Sequence, residues 1–299
     1  MFPLEPSGPR LSEDEFRLLR EVIQRHCGIY FRDDLLYLLE RRLAPRLEVL
    51  GLSDFASYHR HLLFDPRRQE ELEAVVDVLT TNETYFWREP IQLRAFEREL
   101  VPLLAGGPCS AERRLRILSA GCSTGEEAYT LATILRDSGR FAGWQVEVIG
   151  VDIARRVVDA ARAGAYRDHA FRAPDSERMR RWFRFRGGRW VVDDEIRRMV
   201  RFEQANLVDP RGLAGLGRMD VVFCRNVMIY FDMPARQRVL RGFHRALREG
   251  GFLLLGHAES LLSATADFEL FHLQDELVYR KPRAATGGAE DEDEDEVTA

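Results

Sequence analysis

A glycine-rich turn followed by two carboxylates is the segment of this sequence best suited to binding a small molecule. The run AGCSTG (120–125) follows an apolar stretch, and Glu126 and Glu127 then open a predicted helix. The spacing G-x-x-x-G departs from the G-x-G-x-x-G fingerprint of dinucleotide sites. A pyrophosphate would lie at the N-terminus of this helix, where two carboxylates would repel it. The turn therefore favours a ligand that carries an ammonium group, unless the glutamates only stabilise the helix dipole.

Two later strand ends add groups of the kind that bind a nucleoside. Asp152 ends an apolar run, and its carboxylate is suited to accept hydrogen bonds from both ribose hydroxyls. The alternative is that Asp152 caps the helix predicted to begin near Ala154. Asn206 follows the next strand and can bond an adenine edge, with Leu207 supplying apolar contact. The Asn206–Leu207 pair is a weak signal alone, because asparagine is common after strands. The turn and Asp152 would suit S-adenosylmethionine, which has an amino group and a sulfonium but no phosphate.

Several kinds of catalytic site have no candidate residues in this sequence. The seven histidines are scattered without metal-ligand spacing, so no metal site is expected. Lys281 is the only lysine, which leaves the body of the protein without a lysine for Schiff-base or general-base chemistry. The four cysteines form no C-x-x-C pair, which argues against a zinc site or a disulfide framework and for a reducing cytosol.

The formal charge of −5 comes from the C-terminal end of the chain. Residues 290–296 are seven consecutive acids, and without them 42 acidic residues face 44 basic ones. Such a balanced body does not indicate nucleic-acid binding, and the segment 284–299 is predicted to be disordered. No apolar run reaches the roughly 18–20 residues of a membrane span, and the N-terminus lacks the features of a secretory signal. We therefore expect a cytoplasmic protein without membrane insertion.

Alternating apolar runs and helices predict the framework behind the glycine turn. The predicted strands are the apolar runs 115–121, 146–152, 200–206, 219–226 and 251–256. Helices are predicted between them at 126–136, 154–163 and 234–247. Continuous apolar strands that alternate with helices are typical of a buried, mostly parallel sheet. The fold class is therefore α/β, with the glycine turn at the carboxyl end of the first strand.

The regions around this sheet differ from it in pattern. Residues 11–78 read as amphipathic helices, the first of which starts at a capping box of Ser12 and Glu15. A hairpin turning at Gly187-Gly188 interrupts the alternation. The predicted boundaries are a helical N-terminal domain (1–80), a cofactor-contacting linker (81–91), an α/β domain (92–283, with a β-element at about 183–202) and an acidic tail (284–299).

Over residues 11–282 the sequence resembles the CheR-type chemotaxis receptor methyltransferases. The segments TTNETYFWRE (80–89) and FCRNVMIYFD (223–232) are specific to that family. Methyltransferases in general share the patterns SAGCSTGEEAYTLA (119–132) and LREGGFLLLGHAES (247–260), and VDIA (151–154) and ANL (205–207) complete the match. The resemblance implies a Rossmann-like S-adenosylmethionine-dependent domain with an all-helical N-terminal domain and an inserted β-hairpin. It also implies transfer of a methyl group to glutamate carboxylates of chemoreceptors, with glutamate methyl esters and S-adenosylhomocysteine as products.

The family's site residues can be carried over where this sequence matches the motifs. The resemblance implies Arg88 and Tyr230 as catalytic residues. It implies a cofactor pocket formed by Asn82, Thr84, Arg88, Glu127, Asp152, Asn206, Leu207, Arg225 and Asn226. The N-terminal helices match the receptor-contacting domain, where Arg41, Arg42 and Arg46 are spaced to form one basic face toward acidic receptor helices. An ordinary solvated helix face is the alternative for these arginines.

The implied reaction suits the residues that the sequence offers. A glutamate has a pKa of about 4.3, so the nucleophile is ionised at neutral pH and needs no general base. The enzyme has to align oxygen, methyl and sulfur. A guanidinium can grip a carboxylate with two parallel hydrogen bonds, which suits Arg88 to orienting the substrate. Tyr230 can position the substrate or line the path of the methyl group, and core packing is the alternative for this side chain.

Two other functions remain open from the sequence. The fold is equally compatible with an O-methyltransferase that acts on another substrate, although TTNETYFWRE and the N-terminal helices argue against it. A cofactor-binding scaffold without catalysis is the second alternative, against which Arg88, Glu127, Asp152 and Tyr230 argue because all four are intact. We expect a monomer whose partners are the cytoplasmic helices of methyl-accepting chemoreceptors.

Overall fold

Four α-helices form the N-terminal part of the protein, in a computed structural model that describes residues 8–107, 109–261 and 264–283. They are α1 (Glu13–Cys27), α2 (Leu36–Leu50), α3 (Phe55–Phe64) and α4 (Arg68–Leu79). The predicted capping box is confirmed, since Ser12 Oγ accepts from Glu15 N at 3.3 Å and Glu15 Oε2 accepts from Ser12 N at 2.9 Å. The helices share a core of fully buried side chains that includes Leu19, Leu43 and Tyr58. The predicted acidic tail, 284–299, lies outside the described residues.

The remaining elements follow along the chain in an alternating order. They are α5 (Pro90–Ala95), α6 (Val101–Gly106), α7 (Cys109–Glu112), β1 (Arg114–Ala120), α8 (Glu126–Ser138), β2 (Gln145–Asp152), α9 (Arg155–Ala163), β3 (Ala165–Tyr166), β4 (Phe183–Arg186), β5 (Arg189–Val192), α10 (Asp194–Arg197), β6 (Val200–Gln204), β7 (Met219–Cys224), α11 (Met233–Ala246), β8 (Leu247–Leu255), β9 (Glu269–His272) and β10 (Leu277–Arg280). A π-helical turn joins α5 to α6, and short 3-10 turns include Met228–Tyr230. No helix in the described ranges is long and apolar enough to cross a bilayer.

The large sheet has seven strands in the order β6-β2-β1-β7-β8-β10-β9. Strands β6, β2, β1, β7 and β8 are parallel, which confirms the α/β prediction and all five predicted strands. Strands β10 and β9 add an antiparallel edge that the sequence did not reveal, because each is short and partly exposed and neither is a continuous apolar run. The parallel arrangement brings the carboxyl ends of β2, β1 and β7 to one edge of the sheet.

A separate three-stranded sheet, in the order β3-β5-β4, contains the predicted hairpin. The turn at Gly187-Gly188 is confirmed, with φ of 55° and 75°. The hairpin begins at Phe183, the predicted start of the β-element (about 183–202), but the small sheet differs from that range in two ways. Residues 165–166 add a strand, and the chain leaves the small sheet after Val192. Strand β6 pairs with β2 in the large sheet, where the ring of Phe202 packs against Gly150.

Candidate active site

The glycine-rich turn lies where β1 passes into α8. The amides of Gly121 and Cys122 both donate to the carbonyl oxygen of Val151, at 2.8 and 2.9 Å, so the turn is tied to the end of β2. Gly121 has φ of 77°, and a Cβ there would lie 2.3 Å from Val227 Cγ2. Glycine is required at this position because the backbone is left-handed and the loop after β7 packs directly against it.

Asp152 ends β2 next to this turn. Its Oδ2 accepts from Ser123 N at 2.9 Å and its Oδ1 accepts from Ala154 N at 3.0 Å. Asp152 therefore does hold the start of the next helix, as the alternative interpretation proposed. Each oxygen still has a lone pair for a further donor. Burial raises the pKa of this carboxyl group, against the effect of its backbone hydrogen bonds, so additional donors would stabilise the ionised form.

Glu127 and Arg225 form a buried ion pair at the centre of the site. Arg225 Nε lies 2.6 Å from Glu127 Oε2, and the two side chains are 2% and 14% exposed. Ser119 Oγ donates to the other oxygen of Glu127 at 2.7 Å. Glu126 does not reach the cavity; burial raises its pKa to about 7, and Thr124 Oγ1 donates to it at 2.6 Å. Only one of the two carboxylates at the start of α8 is therefore available to an ammonium group.

The segment 81–91 crosses the open edge of the sheet and is held by Arg225. The Arg225 Nη1 atom donates to the carbonyl oxygen of Arg88 at 3.0 Å and lies 3.6 Å from Glu89 Oε2. Two non-glycine residues of this segment, Trp87 and Glu89, have positive φ of 64° and 56°. Such strain persists only where surrounding contacts enforce it, and it is concentrated at functional sites. The segment therefore lines the site with a backbone conformation that is fixed by its contacts.

The turn after β7 also lines the cavity and contacts this segment directly. Asn226 has φ of 59° and donates through Nδ2 to Glu89 Oε1 at 3.1 Å. Tyr230 closes the turn with a side chain that is 38% exposed, and its carbonyl oxygen accepts from Tyr30 N at 2.9 Å. An isolated bridge between Ile29 and Phe231 extends this contact. The turn is thereby joined to the N-terminal helical region.

All ten residues predicted for the site line one cavity. Asn82, Thr84 and Arg88 come from the segment that crosses the sheet edge, and the others come from the ends of β2, β6 and β7 and the start of α8. Asn206 is already engaged, because its Nδ2 donates to His26 O at 2.6 Å and its Oδ1 accepts from Val208 N at 3.2 Å. Its predicted bond to adenine would use the second N–H of the amide.

The N-terminal helical region also lines this cavity, which the sequence did not indicate. Its contribution is apolar and aromatic apart from Arg42 and Thr80: Cys27, Ile29, Tyr30, Phe31, Leu35, Leu38, Arg42, Leu79 and Thr80. The segment CGIYF (27–31) was the available signal, since it places apolar residues beyond the end of an amphipathic helix. Part of the cavity lining therefore belongs to a region that the sequence analysis assigned to receptor contact.

The prediction of a basic face on α2 was wrong. Arg46 is directed at Glu71, with Nε–Oε1 of 3.0 Å and Nη2–Oε2 of 2.6 Å, and Glu71 is only 4% exposed. Arg42 donates to the carbonyl oxygen of Leu79 and lines the cavity. Arg41 alone of the three is exposed. The helical spacing was correct, but two of the three guanidinium groups satisfy internal acceptors.

The polar groups of the cavity fit S-adenosylmethionine. Asn226 Oδ1 is buried and has no hydrogen-bond partner among the described residues. Asp152 has acceptor capacity left on both oxygens, and each oxygen of Glu127 accepts one bond and has a lone pair left for a further donor. This surplus of acceptors matches a ligand with an ammonium group and ribose hydroxyls.

Comparison with known proteins agrees with this geometry. The model described as "CheR methyltransferase, SAM binding domain" matches residues 82–277, and "CheR methyltransferase, all-alpha domain" matches residues 14–80. Chemotaxis protein methyltransferase 2 of Vibrio cholerae is 32% identical over 275 residues, which cover 91% of this chain and 94% of that protein. The chemotaxis protein methyltransferase of Klebsiella aerogenes is 36% identical over 275 residues, 90% of each chain.

A third relative carries a different name. The probable biofilm formation methyltransferase WspC of Pseudomonas aeruginosa is 34% identical over 254 residues, which cover 84% of this chain and 58% of that longer protein. The two family models together cover the two parts of the chain that build the cavity, and each of these relatives matches both parts. The protein therefore belongs to the CheR methyltransferase family and is an enzyme that binds S-adenosylmethionine.

Proposed function

We propose that the protein transfers a methyl group from S-adenosylmethionine to glutamate side-chain carboxylates of chemoreceptors. The products are glutamate methyl esters and S-adenosylhomocysteine. One observation carries the proposal: a single cavity combines acceptors suited to the cofactor, around Glu127 and Asp152, with the accessible side chains of Arg88 and Tyr230. We place the enzyme in the cytoplasm as a monomer, where it adjusts receptor signalling in chemotaxis or a related pathway.

The reaction needs alignment more than acid–base catalysis. S-adenosylmethionine supplies, when bound, an electrophilic methyl group on a sulfonium. A glutamate oxygen bonds to the methyl carbon as the carbon–sulfur bond breaks and its electron pair stays on sulfur, so no proton moves. The carboxylate is ionised at neutral pH, and the site correspondingly offers hydrogen-bond donors for orientation.

Arg88 is the donor best placed to orient the incoming carboxylate. Its Nη1 atom donates to the carbonyl oxygen of Glu83 at 2.6 Å, which leaves other N–H groups of the guanidinium to bind the substrate. The ring of Tyr85 lies 5.9 Å from its Cζ atom. This anchoring limits the rotamers of Arg88 at the cavity, so the guanidinium is oriented before a substrate arrives.

Receptor recognition is assigned to the N-terminal helices and the rim of the cavity. The rim side chains Tyr30 and Tyr230 are 39% and 38% exposed, and Tyr37 on α2 is 68% exposed. With Arg46 internal, a basic stripe on α2 does not support this assignment. Tyrosine side chains combine an apolar ring with a hydroxyl group and are suited to contact an amphipathic helix around a reacting glutamate.

The decisive experiment is incubation of the enzyme with candidate receptor cytoplasmic domains and methyl-labelled S-adenosylmethionine. We expect base-labile label on the receptor and a methyl group on glutamate by mass spectrometry. Label on a small molecule or on other proteins alone would favour the alternative substrate class. Cofactor binding without turnover on any receptor would favour the scaffold function.

Asp152→Ala is expected to weaken S-adenosylmethionine binding by at least about 1–2 kcal/mol, because charge-assisted bonds to the ribose are lost. Isothermal titration calorimetry measures this directly. Asp152→Asn keeps an acceptor for only one of the two amides, Ser123 N or Ala154 N, so the melting temperature of each variant is measured as well to separate lost ribose binding from local unfolding. Asp159→Ala is the control, since this residue is exposed on α9 and, among the described residues, pairs with Arg162 alone, at 3.0 Å. Unchanged affinity of both Asp152 variants would remove Asp152 from the site.

Receptor docking is expected not to depend on a separate tethering peptide. Some family members capture a short peptide from the receptor's C-terminus by adding it as a strand to the small β-element. Here the β4–β5 turn consists of Gly187-Gly188 alone, which leaves little loop to hold peptide side chains, although β4 is an open edge. Titration with receptor C-terminal pentapeptides should show no micromolar binding. Micromolar binding that mutations in 183–192 abolish would contradict this prediction.

A further inference from the structure

The carboxylate of Glu259 accepts hydrogen bonds from five backbone amides. Its Oε2 accepts from Gly256 N at 2.9 Å and from Asn226 N at 2.8 Å. Its Oε1 accepts from Val227 N at 2.9 Å, Met228 N at 2.6 Å and Ile229 N at 3.3 Å. Four of these donors are consecutive residues of the turn after β7. Bonds from amides to a charged acceptor are about twice as strong as neutral ones.

Other contacts hold the far end of this turn, where Arg236 Nε donates to Met228 O at 3.0 Å and Tyr30 N donates to Tyr230 O at 2.9 Å, whereas Glu259 accepts from the amides at its start. Asn226 is strained, with φ of 59°, and the 3-10 turn Met228–Tyr230 has no side-chain cap of its own at Val227. Without Glu259 the amides at its start would lack acceptors. The turn also packs Val227 against Gly121, so its position sets the distance between the glycine-rich turn and Tyr230.

We propose that Glu259 is the positioning residue for methyl transfer: its carboxylate fixes the Asn226–Ile229 backbone and thereby places Tyr230 and Asn226 at the reacting centre. Glu259 does not line the cavity, so it acts through the turn. The catalytic part of this assignment rests on the proposed function. Glu259 bonds Asn226, which is also assigned to the cofactor, but the bonds that hold Asp152 and Glu127 come from Ser123, Ala154, Ser119 and Arg225. Loss of Glu259 should therefore affect kcat more than cofactor affinity.

The test compares Glu259→Gln with Glu259→Asp in the full-length enzyme. An amide at this position presents N–H groups to backbone donors, whereas Asp keeps the negative charge on a shorter stem. We expect Glu259→Gln to lower kcat at least about tenfold, because a displacement of 1 Å can cost about a hundredfold. The dissociation constant of S-adenosylmethionine should change less than about threefold. Glu259→Asp should recover part of the loss. Glu269→Gln, which removes an exposed partner of Arg280, is the control.

Two further readouts separate positioning from a general loss of structure. Hydrogen exchange should accelerate at the amides of 226–229 in Glu259→Gln while the amides of β1 and β2 stay protected. In a double-mutant cycle with Tyr230→Phe, the two losses in kcat should be less than additive, since both act on the same group. The hydrogen-exchange measurement needs no receptor, so it tests whether Glu259 holds the 226–229 backbone even if the proposed substrate is wrong. Unchanged hydrogen exchange at 226–229 would show that Glu259 does not hold this backbone. Unchanged kcat, or strictly additive losses in kcat, would show that Glu259 does not position Tyr230.

Discussion

Arg88→Ala is expected to lower methyl transfer to the receptor at least about a hundredfold, while the melting temperature changes by no more than about 2 °C. The rate falls because the guanidinium is the group proposed to orient the carboxylate, and loss of alignment can cost about this much. The melting temperature is maintained because Arg88 is only half-buried, and in the described part of the chain its side chain makes one hydrogen bond, to Glu83 O. Substitutions away from buried networks usually change stability by about 0.5 kcal/mol or less.

Arg88→Lys separates charge from geometry. An ammonium keeps the positive charge but cannot form two parallel bonds to a carboxylate. We expect this variant to lose at least about tenfold in kcat/KM for the receptor. Steady-state kinetics with a fixed, saturating concentration of S-adenosylmethionine measures the effect.

Arg172→Ala is the matched control for both substitutions. Arg172 pairs with Glu83 at 2.9 Å and stacks on Tyr85 at 3.9 Å, but it does not line the cavity. It should retain nearly full activity. If Arg88→Ala unfolds the protein instead, Arg88 is a structural residue and its catalytic assignment is wrong.

The fold and the strand-end positions of the site could be predicted because they depend on local patterns. Continuous apolar runs that alternate with helices require a parallel sheet, and a parallel sheet places the residues after each strand at one edge. Asp152, Asn206 and Arg225 are brought to one cavity by this rule alone. The geometry of Gly121 could also be anticipated, since only glycine adopts its φ without strain.

The partners of these residues could not be predicted, since they are set by contacts between distant segments. Glu259 lies in a pattern that marks methyltransferases in general, and nothing local shows that its carboxylate faces the amides of a turn about 30 residues earlier. The same holds for the bond from Asn206 to His26, which are 180 residues apart. Helical spacing placed Arg42 and Arg46 on one helix, but it could not show that Glu71 and the end of α4 lay opposite them.

Arg225 illustrates a residue whose motif was recognised and whose main contacts were not. The resemblance assigns it to the cofactor pocket, and it does line the cavity. Its own nitrogen atoms, however, hold Glu127 and the carbonyl oxygen of Arg88. Arg225 thus joins α8 to the segment that crosses the sheet edge. We expect substitution of Arg225 to lower the stability of the protein.

Arg225→Met is expected to destabilise the protein by about 3–5 kcal/mol, because removal of one member of a buried ion pair leaves the other charge uncompensated. Glu127 would keep the bond from Ser119, but it would be a mostly buried carboxylate without a cation. Glu89 would also lose its counter-charge at 3.6 Å. At about 2–4 °C per kcal/mol for a protein of this size class, the melting temperature should fall by roughly 10 °C. Differential scanning calorimetry at fixed pH and salt measures the change.

The double variant Arg225→Met with Glu127→Gln distinguishes the ion pair from simple packing. If the cost of Arg225→Met is the stranded charge on Glu127, then neutralising that carboxylate should restore a large part of the stability, and the two changes will be strongly non-additive. Cofactor binding should stay weak in the double variant, since the proposed partner of the ammonium group is gone. Arg241→Met, at an exposed position on α11, is the control and should leave the melting temperature nearly unchanged. A double variant no more stable than Arg225→Met would mean that Arg225 stabilises the site through its bond to the carbonyl oxygen of Arg88, and that the ion pair contributes little.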